Sequence, residues 1–345
     1  MSLLRKILLY PFATLLNFLT FIRNFFFDVG IFKEQTFEYF SIGVGNISQG
    51  GTGKSVMVSY LAEILKDNFM INILSRGYGR KSDGFQIANK ISTPNHLGDE
   101  PFMFYKQNQE IRVAVCNSRK EGMLRLIDLI NKNLKKNIFI LDDVYQHRWV
   151  KPSIMILLTE YSKPYFRDYL FPSGNLRESR KSARRADIII VTKCPNNLSI
   201  EEREKFISEL NIDLKQKVFF SKIKYNEYIF GKRKNLPINI LKRVPFILVT
   251  GIADNTLLVN ELRMKGLNFK TINYKDHYTY TKKDINKIST LSDGNLILTT
   301  EKDYFKLQEH MNSDLLFYVK INIHFNEEDS KLFKTLILKK EKFFT

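Results

Sequence analysis

Hydrophobic residues are laid out along this chain in two regimes. Residues 7–22 form one nearly continuous apolar run, ILLYPFATLLNFLTFI. Past Lys33 the apolar positions break into short β-branched runs separated by stretches of helical periodicity. The short runs predict strands at Tyr39–Val44, Met70–Ser75, Arg112–Cys116, Ile138–Leu141, Ser153–Leu158 and Asp187–Thr192. Between them, Val56–Lys66 and Lys120–Asn131 predict helices. Strand–helix alternation of this kind predicts a parallel sheet covered by helices, so residues 31–215 are expected to form one α/β unit. The pattern changes near Lys215. Residues 216–245 hold two short apolar runs split by Lys232, Arg233 and Lys234, with Pro237 after them, and read as a connecting segment. Beyond it, strands are expected at Pro245–Val249, Phe269–Tyr274, Leu296–Thr300 and Leu315–Ile321, with a helix at Asn255–Lys265. Residues 246–345 are therefore expected to form a second, smaller α/β unit. Lys339, Lys340 and Lys342 read as a solvated tail.

The N-terminal run needs its own account. A spanning helix takes roughly 20 apolar residues, and this run is shorter and interrupted by Pro11 and Asn17. It lacks the small-residue cleavage site of a secretory signal. On a helical wheel, Lys6, Tyr10, Thr14, Asn17 and Asn24 gather loosely on one face; Leu8, Phe12, Leu15, Leu19, Ile22 and Phe26 occupy much of the other. Arg5 and Lys6 precede the run, and Arg23 follows it. Residues 1–30 thus read as a helix lying in a membrane interface, basic residues toward anionic head groups. Packing on the protein's own core and a true span are the alternatives.

Composition narrows the class. The 345 residues are 44% hydrophobic and 26% charged, which excludes a disordered or low-complexity chain. Two cysteines exclude a disulfide framework and a cysteine-rich zinc module. Lys and Arg number 54 against 36 Asp and Glu, a net charge of +18. That excess suits a polyanionic partner: nucleic acid, an anionic membrane or a phosphorylated substrate. A Lys-, Ile-, Asn- and Phe-rich composition, as an AT-rich genome produces, accounts for part of it equally well.

The sharpest local signal is Ser48-Gln49-Gly50-Gly51-Thr52-Gly53-Lys54-Ser55, between a predicted strand and a predicted helix. Glycines let backbone N–H groups turn onto phosphate oxygens, and the helix N-terminus adds partial positive charge. Lys54 can reach the β- and γ-phosphates of ATP, and the Ser55 hydroxyl can ligate Mg²⁺. Ser48 stands where the usual pattern has its first glycine. Gln49 stands where partitioning ATPases carry a basic residue, which argues against that class.

Phosphoryl transfer to an alcohol also needs carboxylates. Asp142-Asp143 ends the predicted strand Ile138–Leu141, as a Walker B element does. Asp99-Glu100 sits in His96-Leu97-Gly98-Asp99-Glu100-Pro101, read as a loop before a helix. His277 follows Asp276 beyond the strand Phe269–Tyr274. Arg76, Arg80, Arg119, Arg148 and Arg177 fall beside these strand ends, where their planar forks suit phosphate recognition.

In order, GNISQGGTGKS, SRGYGR, HLGDEP, LDDVYQHR, LFPSGNLRE, RRADIIIVTK, YKDHYTY and TEKDYFKL resemble the tetraacyldisaccharide 4'-kinase (lipid A 4'-kinase) family of Gram-negative bacteria, over residues 40 to 310. The resemblance implies a P-loop parallel-sheet unit and a smaller α/β unit with the active site between them. It implies transfer of the ATP γ-phosphate, with Mg²⁺, to the 4'-hydroxyl of tetraacyldisaccharide 1-phosphate, a lipid A precursor. The work would be done at the cytoplasmic face of the inner membrane. By that resemblance Asp99 is the base acting with His277, and Ser55, Glu100 and Asp142 surround Mg²⁺. Arg76, Arg80, Arg119, Asp143, Gln146, His147, Arg148 and Arg177 are candidates to hold the substrate. The chain departs from the usual family wording at Val144 and Tyr145, at Phe171, Ser173 and Asn175, and at Tyr278.

Two other classes find less support. A P-loop GTPase or ATPase acting as a protein or metal chaperone should carry an N-K-x-D element, and Val191-Thr192-Lys193-Cys194 lacks both the Asn and the Asp. A nucleic-acid-binding module would call for zinc spacing or an RNP or KH motif, none of which is found, so no nucleic-acid partner is expected.

Overall fold

The computed structural model describes residues 3–130, 135–311 and 313–344, with first-helix side chains described at position 9 and from Pro11 onward. The larger unit is an eight-stranded sheet of β1 (Ser41–Gly45), β2 (Met70–Ser75), β3 (Gln86–Ile87), β4 (Arg112–Val115), β5 (Asn137–Asp142), β6 (Ile154–Glu160), β7 (Ile188–Thr192) and β8 (Lys217–Phe220). Their order is β3-β4-β2-β5-β1-β6-β7-β8, parallel throughout except for β3 against β4. Strands β1, β5 and β7 are buried along their whole length. Burial on both faces is why they read as unbroken apolar runs rather than as alternating ones. In such a sheet, ligands gather beyond the carboxyl ends of the strands. The loops leaving β1, β2 and β5 carry the glycine-rich segment, SRGYGR and Asp143.

The smaller unit is a six-stranded sheet of β9 (Lys222–Gly231), β10 (Asn235–Pro237), β11 (Phe246–Thr250), β12 (Lys270–Asn273), β13 (Leu296–Thr300) and β14 (Leu316–His324), ordered β10-β9-β14-β13-β11-β12. The helices are α1 (Leu3–Asp28), α2 (Lys54–Leu65), α3 (Pro94–Leu97), α4 (Asp99–Gln107), α5 (Arg119–Asp128), α6 (Ile200–Leu210), α7 (Thr256–Met264), α8 (Lys282–Ser292), α9 (Glu301–Gln308) and α10 (Glu327–Glu341). Asn131, the expected end of α5, lies outside the described residues.

Residues 216–245 are more than a connector. Strand β8 extends the edge of the larger sheet, and β9 opens the smaller one after a single intervening residue, Ser221. Strand β9 has only the three-residue β10 on its outer side and is mostly half-exposed, which erased the apolar signal that marks a buried strand. The C-terminal segment differs as well. Instead of a solvated tail belonging to the smaller unit, α10 returns to the larger one. Phe333 and Ile337 are fully buried in the core that also holds Leu61 and Ile140. Lys340 pairs with Asp187 at 2.8 Å.

Helix α1 continues through Pro11. Among the described residues no helix is long and apolar enough to cross a membrane. Phe12, Leu15, Phe18, Leu19 and Phe21 face solvent, whereas Ala13 and Phe27 are buried. The C-terminal half of α1 is fastened to the loop after β5: Arg23 Nη2 donates to Gln146 O at 2.6 Å. Arg5, Lys6, Leu8 and Tyr10 lie outside the described side chains.

Candidate active site

The glycine-rich loop joins β1 to α2, which opens at Lys54. Gly53 holds φ at +90°, a conformation that a side chain would strain, so the turn into the helix depends on glycine there. Polar bonds brace the loop. Asn46 Nδ2 donates to Thr52 Oγ1 at 2.8 Å, and Thr192 Oγ1, at the end of β7, donates to Thr52 O at 2.9 Å. The Gln49 N–H donates to Asn175 O at 2.7 Å, tying Ser48-Gln49 to the LFPSGNLRE segment. Gly50 and Gly51 have open space around them.

Carboxylates face this loop from two directions. Ser55 Oγ donates to Glu100 Oε1 at 2.6 Å, joining α2 to the first turn of α4. Lys54 Nζ stands 3.6 Å from Asp143 Oδ1, and Arg177 Nη1 stands 3.3 Å from Asp143 Oδ2. Asp143 is held at φ +46°, unusual for a non-glycine residue and typical of constrained site positions. Burial pushes its carboxyl up, but Lys54, Arg177 and Arg119 outweigh burial and hold it below the usual range. Asp142 behaves in the opposite way. Its burial, followed by the charges of Glu100 and Asp143, raises its pKa against the pull of Ser75 and Lys54. Ser75 Oγ donates to Asp142 Oδ2 at 2.8 Å, while the buried Asp142 Oδ1 has no hydrogen-bond partner among the described residues.

A hydroxyl and two carboxylates, one with an orphaned buried oxygen, form a hard-oxygen donor set that fits Mg²⁺. Among the described residues no cluster of three His, Cys, Asp or Glu forms a metal cage on its own.

The other half of the site comes from the smaller unit. Asp99 is not in a loop but is the first residue of α4, after Gly98. His277 Nδ1 lies 3.2 Å from Asp99 Oδ2. Lys306 Nζ lies 3.2 Å from the same oxygen. Burial raises the pKa of Asp99, but the His277 hydrogen bond and the Lys306 charge overcome it and keep the carboxyl below its ordinary range. His277 adopts φ +55°. Tyr78, from SRGYGR, meets its ring edge-on with centroids 5.2 Å apart. These groups line a cleft with Asn95, Tyr280 and His310. Adjacent residues thus face opposite partners: Asp99 meets the smaller unit and Glu100 meets α2.

The substrate candidates divide. Gln146 Nε2 donates to Asn46 O at 2.8 Å and its Oε1 accepts from Arg177, so both stay beside the phosphate loop. Arg119 is buried and donates to Cys116 O and Asp142 O; burial lowers its pKa to about 10. His147 is depressed to about 4 by burial and by the nearby Arg119 and Arg76. Arg76 is exposed. Arg80 makes its hydrogen bonds within its own loop, to Ser82 and Gly84 O. Arg148 turns to α1 instead, pairing with Asp28 at 2.8 Å and Glu34 at 2.7 Å and lying over the Phe27 ring.

Residue-by-residue reading missed Lys302, Asp303 and Lys306. Asp303 and Lys306 are three apart on α9, inside TEKDYFKL, and pair at 3.4 Å, but such spacing equally suits a solvated helix face.

A family model described as tetraacyldisaccharide-1-P 4'-kinase matches residues 5–341. A tetraacyldisaccharide 4'-kinase of Flavobacterium psychrophilum is 44% identical over 98% of this chain and 97% of its own. Another, from Flavobacterium johnsoniae, is 41% identical over 94% of each chain. A crystal structure of an "apo" form LpxK from Aquifex aeolicus in complex with ATP superposes with a TM-score of 0.79 at 30% identity, covering 97% of this chain and 99% of that one.

Proposed function

The chain belongs to the tetraacyldisaccharide-1-P 4'-kinase family, and from that premise we infer how its residues carry out the family's reaction. The protein is a kinase of lipid A biosynthesis. It transfers the γ-phosphoryl group of ATP to the 4'-hydroxyl of tetraacyldisaccharide 1-phosphate. The observation that carries the mechanistic reading is that two adjacent residues at the start of α4 reach both halves of the site: Glu100 accepts from Ser55 of the phosphate loop, and Asp99 meets His277 of the smaller unit.

The loop 48–55 wraps the phosphates with backbone N–H groups, and the Lys54 ammonium offsets charge on the β- and γ-oxygens. Ser55, Glu100 and Asp142 would hold Mg²⁺, which supplies further charge neutralisation to the phosphates. Asp99 accepts the proton of the 4'-hydroxyl as its oxygen bonds to phosphorus and the bond to ADP breaks. His277 orients Asp99 and shares that proton. Arg177 and Gln146, beside the loop, are the best-placed candidates for the substrate's polar groups. The solvent-facing apolar side of α1 rests in the membrane interface, on the cytoplasmic face where ATP is available. Incubating the purified protein with ATP, Mg²⁺ and the monophosphoryl disaccharide lipid tests this reading. Mass spectrometry should find the lipid heavier by one phosphoryl group; an unmodified lipid would contradict it.

A further inference from the structure

We propose that Lys306 is a positioning residue that holds Asp99 in its reactive orientation from the smaller unit; this rests on the reading of Asp99 as proton acceptor. A lysine ammonium has three N–H donors and no acceptor. Lys306 has three acceptors around it: Tyr278 O at 3.0 Å, Asp99 Oδ2 at 3.2 Å and Asp303 Oδ1 at 3.4 Å. Its stem is buried, with the ammonium 5.6 Å from the centre of the Tyr280 ring. Two of the three acceptors belong to the smaller unit, so that unit fixes the ammonium in space.

Asp303 is itself rigidly placed. It is fully buried, and its Oδ2 accepts from the Gly251 N–H and from Thr300 Oγ1. The remaining direction of the Lys306 ammonium points across the cleft at Asp99. His277 and Lys306 both address Oδ2. Together they set the plane of the carboxylate and leave Oδ1 for the incoming hydroxyl. A surface lysine paired with a carboxylate contributes little. A buried ammonium with Tyr278 O, Asp99 and Asp303 all within 3.4 Å, at a cleft between two units, is a different object, because its packed stem restricts where the charge can go.

The test is a mutant cycle on the full-length enzyme with ATP, Mg²⁺ and micellar tetraacyldisaccharide 1-phosphate. Lys306→Met keeps the stem and removes the charge. It should lower kcat on the order of 100-fold, the scale of a misplaced reacting group, while KM for ATP stays unchanged. Combined with Asp99→Asn, it should add no further loss, since the two act as a unit. If Lys306→Met does not fold, Lys306→Gln, which retains donors for Asp303 and Tyr278 O, takes its place in the cycle. The proposal is overturned if Asp99→Asn is inactive while the Lys306 variant keeps kcat within about threefold, or if the two losses multiply. An active Asp99→Asn would instead remove the proton-acceptor reading itself.

Discussion

His277 Nδ1 and Asp99 Oδ2 stand 3.2 Å apart, although the two residues come from different units. Asp99 opens a helix of the larger unit, and His277 sits in a left-handed turn after β12 of the smaller one. The contact ties the proposed proton acceptor to the arrangement of the two units. Asp99→Ala should lower kcat severely without loss of ATP binding, and His277→Ala should lower it less. The double variant should be far less damaged than the product of the single losses. Steady-state kinetics with nucleotide binding measured separately checks this, and full multiplicativity would mean the two act independently.

The Mg²⁺ assignment rests on Ser55, Glu100 and the orphaned Asp142 oxygen. Asp142→Asn retains shape and removes the charge. It should raise the Mg²⁺ concentration for half-maximal rate and lower kcat. A Mg²⁺ titration of variant and parent decides the point; superimposable curves would take Asp142 out of the metal site.

His147 gives a pH signature in stability. Its native pKa is depressed to about 4, below the ordinary histidine value of 6.5. Above pH 6.5 it is neutral in both states and contributes no slope. As pH falls from 6.5 to 4 the unfolded chain takes up the proton first, so stability declines, by roughly 1–3 kcal/mol after allowance for partial exposure. His147→Gln should flatten that part of the curve. Denaturant melts between pH 7 and 4 measure it, and an unchanged slope would show that the histidine is not held neutral.

Helix α1 exposes Phe12, Leu15 and Leu19 while Arg23 and Arg148 tie its far end to the body. Replacing those three apolar residues with Gln should weaken sedimentation with anionic vesicles and raise the apparent KM for bilayer-presented lipid. ATP affinity should stay as it was. Undiminished co-sedimentation would move the membrane contact elsewhere.

Much of the larger unit could be read in advance because its central strands are buried on both faces and its turns carry glycine. Met70–Ser75 and Leu296–Thr300 match the expected limits. Strands β3 and β8 were illegible as strands because short edge strands carry little apolar signal, and β9 because most of its residues stay half-exposed or exposed. The return of α10 to the first sheet is a long-range choice that Phe333 and Ile337 alone could not announce. In the candidate site, Ser55, Glu100, Asp99 and His277 stood out in the sequence by motif, and the fold brings them into contact as two pairs. Lys306 did not stand out, since a lysine on a charged helix looks solvated until the fold sets it between Asp99 and Asp303. Arg148 made the opposite impression: an arginine in the motif loop, it clamps α1.

The most direct test asks where the phosphate goes. Purified protein, ATP, Mg²⁺ and tetraacyldisaccharide 1-phosphate should consume one ATP per lipid converted, with phosphorus NMR placing the new monoester on the 4'-oxygen. Lys54→Ala should cut that rate by orders of magnitude while remaining folded, because its ammonium serves the phosphates rather than the core. ATP hydrolysed without a 4'-phosphorylated lipid, or Lys54→Ala working at the normal rate, would contradict the account.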